Sequence, residues 1–122
     1  MKALIIDDSR TMRRLLNSYV SEFSIEAVEA EDGQQALSAL KEQGPVDFAL
    51  VDWDMPVMNG LDFVKAVRAD HAYDGMKLMM VTAHSSVDDV GQAIEQGAND
   101  FLMKPFDGPM VADKLRLLGL VD

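Results

Sequence analysis

The sequence has no cysteine. Disulfide bonds, thiolate metal sites and cysteine nucleophiles are therefore excluded, and nothing indicates a secreted, disulfide-stabilised scaffold. Basic residues are scarce as well, with 11 Lys and Arg against 21 Asp and Glu, which gives a formal net charge of −10. Such a surface repels a phosphate backbone, so direct nucleic-acid binding is disfavoured.

Long apolar runs are also missing, and none approaches the roughly 20 residues of a membrane-spanning helix. The first run, residues 3–6, is too short for a signal peptide and leads into two acids, Asp7 and Asp8. We therefore expect a cytoplasmic protein without membrane insertion. The 122 residues show no repeat and no linker. We expect residues 1–122 to form one domain, with no output domain.

The sequence does show an alternation of two apolar patterns. Short apolar runs typical of buried strands occupy residues 3–6, 27–28, 48–51, 78–81 and 101–103. Amphipathic helical spacing occupies residues 12–23, 36–40, 61–67, 87–94 and 111–118. This order predicts an α/β fold, a single (βα)5 domain with a doubly wound, parallel, five-stranded, flavodoxin-like sheet. We expect Ser85-Ser86 to cap the fourth helix, Gly97 to end it, and Pro109 to lie in the first turn of the fifth.

Polar residues stand where the predicted strands end. The first strand ends in Asp7-Asp8, the third in Asp52, the fourth in Thr82 and the fifth in Lys104. In open α/β sheets, sites form outside the carboxyl ends of the strands. We therefore expect three carboxylates, a hydroxyl and an ammonium group to meet at one edge of the sheet.

Three crowded carboxylates repel one another by roughly a few kcal/mol per pair at an effective dielectric near 20, so they need protons or a cation. Oxygen ligands without His or Cys favour Mg²⁺, for which Mn²⁺ can substitute. Asp52 follows the most apolar strand and is a potential nucleophile that could form an acyl phosphate. Lys104 and Thr82 would then neutralise phosphoryl oxygens together with the metal. The alternative is that Asp7 and Asp8 only cap the following helix.

Four motifs together resemble the response-regulator receiver domain family and are closest to its stand-alone chemotaxis members. They are Asp7-Asp8, the stretch Asp52-Trp53-Asp54-Met55-Pro56 with Gly60, Thr82-Ala83, and Lys104-Pro105-Phe106. The resemblance covers essentially the whole chain. It implies a signalling protein, not an enzyme, that takes a phosphoryl group from a histidine kinase.

The resemblance also implies a role for each site residue. Asp52 would be the phosphoacceptor, and Thr82 and Lys104 would contact the phosphoryl group. The Lys104-Pro105 bond would be cis. Asp8 and Asp52 would bind Mg²⁺ directly and Asp7 mostly through water. The full set of implied metal ligands is Asp7, Asp8, Asp52 and the backbone carbonyl of Trp53.

Three positions depart from the chemotaxis members of the family. Phe101 replaces the tyrosine that forms the switch with Thr82, so the ring can still turn inward but has no hydroxyl; it could also be a plain core residue. Asp54 replaces an asparagine, and His84 replaces a glutamate. These two positions flank the phosphoryl group and are expected to tune its hydrolysis, unless His84 is an exposed loop residue without a role.

Several alternatives remain open on the sequence. A haloacid-dehalogenase-like phosphatase also uses an Asp-x-Asp motif, but after its first strand. A flavodoxin-like phosphate binder would be repelled by Asp7-Asp8. A degenerate receiver would lack site residues that are present here. The expected partners are a histidine kinase, a downstream protein bound through the face of residues 86–118, and a phosphatase, with the chain a monomer. We expect control of chemotaxis or motility as the output, which the match at Trp53 favours, with a phosphorelay or kinase-regulating shuttle as the alternative.

Overall fold

The computed structural model describes residues 1–84 and 86–122. Within them, parallel strands alternate with α-helices along the chain. The order is β1 Lys2–Ile6, α1 Arg10–Ser21, β2 Glu26–Ala30, α2 Gly33–Gln43, β3 Phe48–Asp52, α3 Gly60–Arg68, β4 Lys77–Thr82, α4 Val87–Gln96, β5 Asp100–Met103 and α5 Gly108–Leu117, with a 3₁₀ turn at His71–Tyr73 between α3 and β4. No helix in the described part of the chain is long and apolar enough to span a bilayer.

The strands form one sheet in the order β2-β1-β3-β4-β5, and all four neighbouring pairs are parallel. This confirms the predicted doubly wound α/β fold. The chain moves outward from β1 in one direction to β2 and then in the other through β3, β4 and β5. Strand order therefore reverses between β1 and β3, where such sheets open a crevice at their carboxyl edge.

Each face of the sheet carries its own helices. Leu40 of α2, Phe63 of α3 and Ala93 of α4 belong to one apolar cluster. Leu16 of α1 and Leu115 of α5 belong to the other. Every residue of β3 is buried, as expected for a central strand covered on both faces.

Polar caps set where the helices begin. In each α-helix, the N-cap side chain accepts a hydrogen bond from the backbone N–H three residues on; these caps are Ser9, Asp32, Asn59, Ser86 and Asp107. Ser86 is thus confirmed as a cap, whereas Ser85 lies outside the described residues. Gly97 ends α4 in a left-handed conformation and Pro109 lies in the first turn of α5, both as predicted. The cap of α1 is Ser9, so neither Asp7 nor Asp8 fills that position.

The predicted apolar face of α4 does not all pack inward. Val87 is 88% exposed and Ile94 is 45% exposed, while the smaller Ala93 is buried. Val90 is partly buried and packs against the same apolar cluster as Ala93, so the buried face of α4 follows these two residues and leaves out Val87 and Ile94. An apolar strip of α4 is therefore left at the surface.

The start of α3 approaches the end of β3 so closely that only glycine fits. A Cβ on Gly60 would overlap the carbonyl oxygen of Asp52, and the Gly60 N–H donates to the carbonyl of Trp53 at 2.9 Å. This contact fixes the loop that follows Asp52.

Gly60→Ala should lower the free energy of unfolding by about 1–3 kcal/mol, because the added methyl group forces the backbone apart. Gly91→Ala is the matched control. A Cβ there meets nothing within 4 Å in the interior of α4, so this change should stabilise by about 0.5–1 kcal/mol. Urea denaturation measures both, and equal effects would contradict the close approach.

Candidate functional site

The sheet brings the expected site residues to one edge. Asp52 and Thr82 are the last residues of β3 and β4, and Asp7 directly follows β1. Carboxylate oxygens of Asp7, Asp8 and Asp52 all lie within 4.8 Å of one another. Asp7 and Asp52 are buried, whereas Asp8 is exposed. The acidic cluster thus has a buried floor and an open side.

Lys104, one residue after β5, reaches across this cluster. Its Nζ lies 3.3 Å from Asp52 Oδ1 and 3.6 Å from Asp7 Oδ2. The bond from Lys104 to Pro105 is cis, the isomer that the family resemblance implied. Ser9 N donates to Asp7 Oδ1 at 2.8 Å, but Asp7 Oδ2 is buried without a hydrogen-bond partner among the described residues. The ammonium group of Lys104 therefore leaves a carboxylate oxygen of Asp7 free to accept a further contact.

Burial and like charge disfavour ionisation of these acids. Burial, with the charge of Asp7 next, raises the pKa of Asp52 to about 6 despite the opposing Lys104 ammonium. Burial likewise raises the pKa of Asp7. An oxygen-only cluster with an unpartnered carboxylate oxygen fits a hard divalent cation such as Mg²⁺. The residues present are thus chemically suited to that ion.

A buried arginine contacts the backbone of Asp7. This residue is not identified from the sequence. Arg13 of α1 donates from Nη1 to the carbonyl of Asp7 at 2.8 Å and from Nε to Glu29 at 3.2 Å. It therefore fixes the end of β1 against β2. The available signal was a charged residue between Met12 and Leu16 on the apolar side of a helix.

The loop after Asp52 is shaped by backbone contacts. The carbonyl of Trp53, an expected metal ligand, already accepts the Gly60 N–H, so only its second lone pair is left for a cation. The metal role of Trp53 stays a prediction with this constraint. Val57 in the same loop has a φ of 68°, which is rare for a β-branched residue.

Asp54 and His84, two of the positions at which the sequence differs from the family that it resembles, are in contact. His84 Nε2 is 2.9 Å from Asp54 Oδ2, and its Nδ1 is 3.1 Å from Asp89 Oδ2. The ring stacks on Trp53 with centroids 4.7 Å apart. Hydrogen bonding to Asp54, then to Asp89, raises the pKa of His84. Asp54 is therefore in contact with a ring nitrogen of His84 and is not an isolated group, and His84, with contacts at both ring nitrogens, is not a free loop residue.

The expected switch residues are both buried. Thr82 Oγ1 accepts a hydrogen bond from the backbone N–H of His84 at 3.0 Å. Phe101 of β5 is 7% exposed and belongs to the cluster under α2, α3 and α4. The ring therefore already occupies an inward position in this structure.

Comparisons with known proteins point to one family. The protein-family model described as the response regulator receiver domain matches residues 3–116 of this chain. The chemotaxis protein CheY1 of Helicobacter pylori is 38% identical over 119 residues, which cover 97% of this chain and 96% of that protein. CheY of Pseudomonas aeruginosa is 38% identical over 116 residues, covering 94% and 93%. The solved structure of CheY4 of Vibrio cholerae superposes with a TM-score of 0.89 at 31% identity, covering 96% and 97%.

Crowding at Asp52 predicts a pH-dependent cost in stability when divalent cations are absent. The folded-state pKa of Asp52 is about 6 against an ordinary 3.8. The folded protein therefore holds a proton that the unfolded chain loses between these values, and stability falls as pH rises through that window. Asp52→Asn should remove this cost and raise the free energy of unfolding at neutral pH by about 1–3 kcal/mol.

The gain from Asp52→Asn should be near zero below about pH 4 and level off above about pH 6. Glu42→Gln, the same charge change at an exposed position of α2, should show no such profile. Urea denaturation in EDTA at several pH values measures both variants. A loss of stability in Asp52→Asn at every pH would mean that the Lys104 pair outweighs the crowding.

Proposed function

Because this chain belongs to the response regulator receiver domain family, we propose that it is a signalling protein controlled by phosphorylation of Asp52. The observation that carries the proposal is the position of Asp52 between the Lys104 ammonium and the acid pair Asp7 and Asp8. A buried carboxylate next to one fixed cation and an underfilled acidic cluster is suited to receive a phosphoryl group with a metal ion.

The phosphoryl group would come from a phosphohistidine of a histidine kinase. A carboxylate oxygen of Asp52 attacks the phosphorus, the bond from phosphorus to the donor nitrogen breaks, and the nitrogen keeps the electron pair. Lys104 stays within reach of the phosphoryl oxygens on one side, and the Thr82 hydroxyl supplies a donor on another. Bound Mg²⁺ would supply charge neutralisation for the transferring oxygens, held by Asp8 and Asp52 directly and by Asp7 mostly through water.

The chemistry proposed is regulatory and not that of a turnover enzyme. The haloacid-dehalogenase alternative needs its second aspartate as a general acid, whereas Asp54 is 75% exposed and engaged by His84. A phosphatase would instead hold that acid toward the leaving group. The pairing of Asp54 thus supports the receiver proposal.

We propose chemotaxis or motility control as the output, because relatives of nearly the same length carry chemotaxis names. The downstream protein would bind the face of α4, β5 and α5, where α4 leaves Val87 and Ile94 at the surface. A phosphatase is a further expected partner. A phosphorelay or kinase-regulating shuttle is the second candidate, and it would use the α1 side instead.

The signal would pass from Asp52 to that face through Thr82 and Phe101. Movement of the Thr82 hydroxyl toward the phosphoryl group vacates space beside β5, and an inward Phe101 ring fills it. Since Phe101 has no hydroxyl to satisfy, burying it leaves no unpaired polar atom. In this structure the ring is already buried while Thr82 Oγ1 still accepts the His84 N–H, so Phe101 would be preset and Thr82 would be the part of the switch that moves.

With acetyl phosphate and Mg²⁺, the intact mass should rise by one phosphoryl group in a form labile to hydroxylamine. Asp52→Asn should abolish the gain, and EDTA should suppress it. The matched control is Asp62→Asn on the exposed start of α3, which should react like the parent. A hydroxylamine-stable phosphate would contradict the acyl phosphate.

Metal binding is tested separately, without a phosphoryl donor. The fluorescence emission of Trp53 should respond to Mg²⁺ at about millimolar concentration, and Asp8→Ala should lose this response.

Phe101→Ala should leave phosphorylation of Asp52 intact but weaken its transmission. The lost apolar burial, worth about 1–3 kcal/mol for such a ring, removes the preference for the inward state. Amide shifts across residues 86–118, with and without beryllofluoride, measure the response. Phe23→Ala on the other side of the sheet is the control. Shifts confined to α1 in the parent protein would favour the shuttle over motor control.

A further inference from the structure

One imidazole ring joins three segments around the candidate site. His84 contacts Asp54 in the β3–α3 loop and Asp89 in α4 through its two ring nitrogens, at 2.9 and 3.1 Å. Its face lies on Trp53 at an interplanar angle of 19°. The side chain is 32% exposed, so it is held between its partners and does not extend into solvent.

These contacts leave the ring little freedom. An ionised carboxylate only accepts hydrogen bonds, so His84 satisfies Asp54 and Asp89 together when both ring nitrogens carry hydrogen. Contacts at both ring nitrogens and on one ring face restrain its rotation and its tilt. Asp89 is itself fixed, because its backbone N–H donates to the Ser86 side chain that caps α4.

The same residue restrains the expected switch. The backbone N–H of His84 donates to Thr82 Oγ1 at 3.0 Å. The hydroxyl can move toward a phosphoryl group on Asp52 only if this bond breaks or the backbone at His84 moves with it. That backbone is anchored through the ring to Asp54 and Asp89, so a shift of Thr82 is coupled to those contacts.

We propose that His84 is a latch holding the end of β4 against the β3–α3 loop, and that Asp89 is the positioning residue that sets the latch from α4. The proposal rests on phosphorylation of Asp52 and adds a control on how readily the site switches. Asp54, His84 and Asp89 together favour the unphosphorylated arrangement. Release of the latch frees Thr82 and the first turn of α4 in the same step.

A latch of this kind lowers the apparent affinity for any ligand of the switched state. Affinity is reduced by the fraction of molecules that are competent to bind, and breaking the latch raises that fraction. Asp89→Ala should therefore tighten binding of beryllofluoride with Mg²⁺ by about threefold or more. The midpoint of a fluorescence titration gives this affinity, because Trp53 is the only tryptophan in the sequence. Calorimetry measures the same affinity independently.

The neighbouring Asp88 provides the matched control. Asp88 and Asp89 both lie in the first turn of α4, so replacing either loses a similar interaction with the helix dipole. Asp88→Ala should leave beryllofluoride affinity and the emission of Trp53 without ligand near those of the parent. Asp89→Ala and His84→Ala should each change that emission, since both disturb the stacked pair.

A double-mutant cycle shows whether Asp89 acts through His84. Adding Asp89→Ala to His84→Ala should then change beryllofluoride affinity no further. Equal effects of Asp88→Ala and Asp89→Ala, additive effects in the cycle, or weaker binding by Asp89→Ala would each overturn the latch. If the parent takes neither beryllofluoride nor a phosphoryl group, the proposed function fails and the latch fails with it; if the parent binds and only the variant pattern is wrong, the latch alone fails.

Discussion

Crowding of carboxylates at the carboxyl edge of a parallel sheet is the constraint from which the properties of this site follow. Strand order places Asp7 beside Asp52, and the buried strands on either side keep water away from them. Among the described residues, the ammonium group of Lys104 is the cation that contacts these acids. The raised pKa of Asp52 is one result of this imbalance of charge, and the lack of a hydrogen-bond partner for Asp7 Oδ2 among the described residues is another. A cation bound beside the exposed Asp8 would therefore stabilise the folded protein, because it offsets the repulsion between the carboxylates.

Much of the architecture could be predicted because it depends on periodicity and on where strands end. A run such as residues 48–51 must be buried on both faces of the sheet, and the fully buried β3 confirms this. Once the strands are parallel, their carboxyl ends share an edge whatever the loops do. The common location of Asp7, Asp52 and Thr82 at this edge could therefore be predicted without knowledge of any loop conformation.

Contacts between loops and helices could not be predicted in the same way. Nothing in the spacing pairs Asp54 with His84, because their meeting depends on how two separate loops fold over the sheet edge. The position of Arg13 on the apolar side of α1 marks it as unusual, but nothing in the spacing indicates that it contacts the carbonyl of Asp7. The exposure of Val87 reflects the way α4 packs on α3, which periodicity along one helix does not determine. Val57 has a positive φ, which β-branched residues rarely adopt. The loop around it is held by backbone hydrogen bonds from Gly33 to Met58 and from Gly60 to Trp53, which the local sequence does not predict.

The far end of α4 is held by a different residue. Arg68, the last residue of α3, donates to the carbonyls of Gly97, Tyr73 and Met76 and to the side chain of Asn99. This guanidinium ties the end of α4 to the start of β4, away from the acidic cluster. If the latch proposed for His84 is released, a helix held at its last turn would move most at its first turn, where Val87 is exposed, and progressively less toward Ile94.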